Sequence, residues 1–89
     1  MIKKIYQINE QALMCDFGSI INKKINSNVI SFFNYITDEN FIDKKLGIKN
    51  CVPSYNKLLI HYDLNKTNFN KMSNLIHSVT HKQLTKNVN

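Results

Sequence analysis

The stretch VPSYNKLLIHYD, Val52 to Asp63, decides the fold. It holds the one proline of the chain. Proline has no amide to give to a ladder, so Pro53 belongs at a strand edge or beside a turn. Ser54, Tyr55 and Asn56 suit a tight reversal. From Lys57 the residues alternate: Leu58, Ile60 and Tyr62 share one face, and Leu59, His61 and Asp63 share the other. The stretch therefore reads as the tip and return strand of a β-hairpin, with Ile48 to Pro53 as the outgoing strand.

The pattern to the left repeats this architecture. Lys3 to Ile8 reads as a first strand and Asn9, Glu10 and Gln11 as a polar break. Ala12 to Phe17 reads as a second strand, with Leu13, Cys15 and Phe17 on one face and Ala12, Met14 and Asp16 on the other. The short break predicts an antiparallel hairpin that Gly18 ends. A helix follows, capped by Asn22. Its apolar stripe runs Ile21, Ile25, Val29, Phe32, Phe33, Ile36 at helical spacing, which marks a core face. Asp38 to Leu46 either extends this helix or forms a short second one, and Gly47 stops it. Phe69, Met72, Leu75, Ile76 and Val79 mark another amphipathic helix, capped by Thr67 or Asn68.

The predicted order is ββαββα: an α+β two-layer sandwich, with a four-stranded antiparallel sheet and the helices on one face. Residues 1–82 form a single domain and residues 83–89 a polar tail. At 89 residues the chain has room for one modest core, and 43% hydrophobic content excludes a disordered chain. Net charge is +6 from twelve basic and six acidic residues, and every basic residue is lysine. Without arginine there is no bidentate fork for phosphate, and the lysines form no single run. This describes a solvated basic surface rather than a nucleic-acid footprint. The two cysteines, Cys15 and Cys51, lie in no C-x-x-C pattern and read as thiols of a reducing compartment. There is no secretory or membrane-spanning segment, so the expected location is the cytoplasm.

Chemistry is sparse. His77 and His81 are four apart on the last helix, but Ser78 stands where a zinc-protease glutamate would, and no third ligand accompanies them. His61 shares a face with Asp63, while Cys15 belongs to the opposite, core-facing set. Asp16 and Asp63 fall on the open face without a pocket to tune them. We assign no catalytic, cofactor-binding or metal-binding residue. The open face shows Ala12, Met14 and Leu59, with Val52 beside them, more apolar than a solvated face needs. This predicts packing against another domain or subunit, or a homo-oligomer. Met14 and Leu59 on that face, with Pro53 and Tyr55 at the hairpin tip, are the candidate partner contacts.

ALMCDFG at Ala12 to Gly18, Asn26 with Val29, and GIKNCVPSYNKLLIHYD at Gly47 to Asp63 occur in an order that resembles the N-terminal domain of the KipI / allophanate hydrolase subunit 1 family. That family includes one of the subunits of the ATP-dependent 5-oxoprolinase, and carboxyltransferase subdomains of the C and D type. The chain departs from the family pattern at Asn9 and Glu10 (usually Gly-Asp), at Lys57 (usually Ser) and at Leu64 (usually Pro). The family's cyclophilin-like C-terminal domain is absent from these residues. The resemblance implies the same ββαββα sandwich. It further implies a domain of an ATP-dependent amide hydrolase that is not catalytic in isolation and acts through a second subunit or the missing domain. ATP is implied for the whole enzyme, not for this domain. The alternative it implies is a KipI-like module that inhibits a sensor histidine kinase.

Overall fold

The computed structural model describes residues 2–20, 22–38 and 47–87, with residues 81–87 described by backbone alone. Strands β1 (Lys4–Asn9) and β2 (Ala12–Asp16) lead into helix α1 (Lys23–Thr37). Strands β3 (Ile48–Pro53) and β4 (Lys57–Tyr62) lead into helix α2 (Phe69–Asn87). The four strands form one antiparallel sheet in the order β1-β2-β4-β3. The order and fold class are those expected from the alternation of periods 2 and 3.6.

Both helices cover the same face. Leu13 and Cys15 of β2, Leu58, Ile60 and Tyr62 of β4, and Phe17 just past β2 are buried there. They meet Val29, Phe32 and Ile36 of α1 and Met72, Ile76 and Val79 of α2. Each such side chain withdraws enough apolar surface to stabilise the fold by roughly 1.5–3 kcal/mol. The rings of Phe17 and Phe32 lie 6.1 Å apart at 58°, a tilted pair that ties the end of β2 to α1.

Helix starts follow the expected chemistry. The Asn22 side chain accepts the Ile25 amide at 2.8 Å, and Asn68, not Thr67, accepts the Lys71 amide at 2.9 Å. α1 stops at Thr37, where Asp38 turns extended. The ambiguous segment after it falls on residues 39–46, outside the described residues, as do Ile21 and the side chain of His81. α2 continues to Asn87, through residues expected to be a polar tail.

Two glycines are demanded by geometry. Gly18 has φ +140°, and a Cβ there would lie 2.9 Å from Ile25 Cδ1. Gly47 has φ +99°, and its Cβ would sit 3.1 Å from both Lys66 Cβ and Thr67 Cγ2. The Gly47 carbonyl accepts the Asp63 amide at 2.8 Å, which fastens the start of β3 to the end of β4. Both edge strands are irregular: the register shifts between Gln7 and Asn9 in β1, and between Ile48 and Asn50 in β3.

Candidate functional site

Register sorts the open face into three rows that cross the sheet. In the first, Lys4 pairs with Asp16 and Asp16 with Lys57. In the second, Tyr6 pairs with Met14, Met14 with Leu59, and Leu59 with Val52. In the third, Asn9 pairs with Ala12, Ala12 with His61, and His61 with Asn50. Side chains in such rows stand side by side on one surface. The middle row is thus a continuous apolar ridge, flanked by a charged row and a polar one. Val52 is 48% exposed at one end of it. At the other, the Lys4 ammonium lies 5.5 Å from the centre of the Tyr6 ring, a cation–π contact that screens part of the ridge. Ala12 is fully buried although it belongs to this face. Its methyl is too short to rise above its neighbours.

The structure brings Met14 and Leu59 together as direct cross-strand partners. It does not bring them together with Pro53. Pro53 pairs with Leu58, a core residue, and so lies toward the helix side. Tyr55 is exposed in the turn beyond it. The four candidate contacts therefore fall on two surfaces, the sheet face and the hairpin tip. Tyr6 extends the ridge to a fourth strand and was missed. The signal that could have found it is the alternation of β1 against β2 across their short turn.

At one end of the sheet the three sequence motifs converge. The Asn56 side-chain amide donates to the Gly18 carbonyl at 2.6 Å, and the Phe17 amide donates to the Asn56 carbonyl at 2.9 Å. The Asn26 side-chain amide donates to the Tyr55 carbonyl at 3.0 Å. Inside the turn, the Ser54 amide donates to the Lys57 carbonyl at 2.8 Å. These polar motif residues are engaged in holding the hairpin tip against β2 and α1. Beside them is an open cleft of about 770 Å³, lined by Lys3, Lys4, Asp16, Gly18, Lys24 and Asn28 among others. Three ammonium groups against one carboxylate give it a positive lining.

Among the described residues the titratable groups stand apart from one another. Asp16 accepts the Gly18 amide and Asp63 the Asn65 amide, each at 2.9 Å. Asp16, at the end of β2, lies beside Lys57 at the start of β4, and Asp63 lies just past the end of β4, about 20 Å away for six residues of strand. Cys15 faces the core, where burial, and secondarily Cys51, pushes its thiol up to about 12. At neutral pH it is a protonated thiol and a poor nucleophile. Cys51 pairs with Ile60, on the face opposite His61. The Tyr62 phenol is raised by burial. His77 is exposed. Among the described residues no three histidine, cysteine or acidic side chains gather as a metal site. Among them no helix is long and apolar enough to cross a membrane.

Comparison with known proteins places this geometry. A conserved uncharacterized protein of Pyrococcus horikoshii, PH0987, has the same fold: TM-score 0.79 over 93% of this chain, at 23% identity. This chain spans 37% of the length of that one. No protein of curated function matches. Residues 3–89 match the carboxyltransferase domain, subdomain C and D. With every described element inside that match, the chain belongs to the carboxyltransferase domain family of the subdomain C and D type.

Proposed function

We propose that this chain is the N-terminal domain of a subunit of an ATP-dependent amide hydrolase of the 5-oxoprolinase or allophanate hydrolase kind. In this reading it works through contact with a partner subunit or domain and supplies no catalytic group itself. Family membership across residues 3–89 supports the class of protein. The observation that carries the division of labour is the use of the motif residues. Asn26, Asn56 and Gly18 are engaged with one another's segments, and the surface left outward includes an apolar ridge and the lysines of the cleft. Such a surface suits recognition of a partner.

The test is co-expression of the chain with a candidate second subunit, in the presence and absence of the remainder of a full-length family member. A co-purifying complex with ATP-dependent opening of 5-oxoproline or hydrolysis of allophanate is expected. Absence of both complex and turnover, together with inhibition of histidine-kinase autophosphorylation by the chain alone, would replace this reading with the regulatory one.

A further inference from the structure

We infer that the open face of the sheet is self-complementary and pairs with the same face of a second copy, about a two-fold axis that runs between β2 and β4, parallel to the strands. This goes beyond the hydrolase reading and does not depend on it; the partner contact of that reading then falls to the hairpin tip and the lysine-lined cleft.

The register supplies the argument. β2 and β4 are the two central strands and lie antiparallel, with Asp16 opposite Lys57, Met14 opposite Leu59 and Ala12 opposite His61. A two-fold along these strands sets β2 of one copy over β4 of the other at the same height. Every row then meets its own row reversed. Asp16 faces Lys57 of the second copy, and Lys57 faces its Asp16, so these two positions of the charged row close into a ring of two carboxylates and two ammonium groups with alternating sign, with one Lys4 outside it at each end. Met14 faces Leu59 and Tyr6 faces Val52, so the apolar ridge covers itself from end to end. Ala12, the smallest residue of the face, receives His61, one of the largest. Sheets stacked face to face sit about 10 Å apart, which suits side chains of this size.

No like charges oppose one another in this arrangement, which separates it from other ways to stack the face. A two-fold across the strands would set the charged row against the Ala12–His61–Asn50 row and leave Asp16 and Lys57 facing uncharged groups. Charge complementarity thus selects both the occupant and the axis. Four strands about 4.8 Å apart and five residues about 3.4 Å apart give a footprint of about 19 by 17 Å. A patch of that size belongs to the small, reversible class of interfaces, so association is concentration-dependent.

Sedimentation equilibrium of the 89-residue chain, from low micromolar to near-millimolar, tests this. A reversible monomer–dimer equilibrium is expected, weakened by added salt. Leu59→Asp should leave only monomer, and Lys57→Glu should raise the dissociation constant about tenfold, since Asp16 then faces a carboxylate. Lys71→Glu on the helix side is the control and should change nothing. An equimolar mixture of Lys57→Glu and Asp16→Lys chains should dimerise more tightly than either does alone, because each charge again meets its opposite. Circular dichroism checks that every variant is folded. If Asp16→Lys fails that check, Leu59→Asp and Lys57→Glu decide. A chain that stays monomeric throughout, or a dimer that Leu59→Asp does not disturb, overturns the proposal.

Discussion

Asn56 and Gly18 lie thirty-eight positions apart and are joined by a 2.6 Å hydrogen bond from the Asn56 side-chain amide to the Gly18 carbonyl. The Phe17 amide returns a bond to the Asn56 carbonyl, so the second hairpin is stitched to the exit of the first. Asn56→Asp removes the donor and sets a carboxylate against a carbonyl. It should destabilise the fold by about 1–2 kcal/mol, read as a lower urea midpoint with unchanged slope. Asn26→Ala loses a more exposed bond to the Tyr55 carbonyl and should cost about 0.5–1 kcal/mol. The double variant should cost less than the sum if the tip is released as one unit.

Cys15 gives the stability of the protein an alkaline limit. Unfolded, its thiol ionises near 9.0; folded, burial holds it protonated to about 12. Between these values the unfolded chain binds fewer protons than the folded one. Stability is therefore fully present below pH 9 and falls as pH rises through this window, by at most ~4 kcal/mol for the whole shift. Urea midpoints of wild type and Cys15→Ala, followed upward from neutral pH, check this. The variant starts lower because it leaves a small cavity, but its decline should be shallower. Equal slopes would assign the alkaline loss to other groups.

The Tyr62 hydroxyl is buried and has no hydrogen-bond partner among the described residues. A buried hydroxyl without a partner carries its full desolvation cost, while the ring beneath it packs in the core. Tyr62→Phe keeps the ring and removes the cost. The melting temperature should hold or rise, by the equivalent of up to about 1 kcal/mol. A clear loss of stability would show that the hydroxyl has an acceptor in solution.

Much of this architecture is written locally. β3 and β4 begin and end where Pro53, the polar turn and the alternation place them, because each of those signals acts within a few residues. β1 is displaced by one residue, Lys4–Asn9 against an expected Lys3–Ile8, because the register shift near Ile8 lets Asn9 pair with Ala12. The cap of α1 was readable at Asn22, whereas two adjacent acceptors, Thr67 and Asn68, left the cap of α2 open until geometry chose Asn68. The extension of α2 through polar residues 83–87 could not be read from a stripe that ends at Val79. Of the candidate surface, Met14 and Leu59 followed from parity alone. Tyr6 and the separation of Pro53 follow from parity within the two hairpins, which local signals already close; that β2 and β4 lie side by side and join the halves of the ridge is what local sequence does not encode. The bond from Asn26 to Tyr55 is of the same kind, since no periodicity connects residues twenty-nine apart.

The irregular edges set how this sheet can grow. The register shifts of β1 and β3 stand at opposite rims of the sheet, and β3 ends in Pro53, which has no amide to give. A neighbouring chain that tried to continue the ladder sideways would meet mismatched donors at either rim. Lateral polymerisation of the kind that begins a fibril is therefore obstructed at both borders, while the flat surface between them stays accessible. The molecule can accumulate without turning into a ribbon, and a variant that straightened either rim would be the one to watch for fibrils.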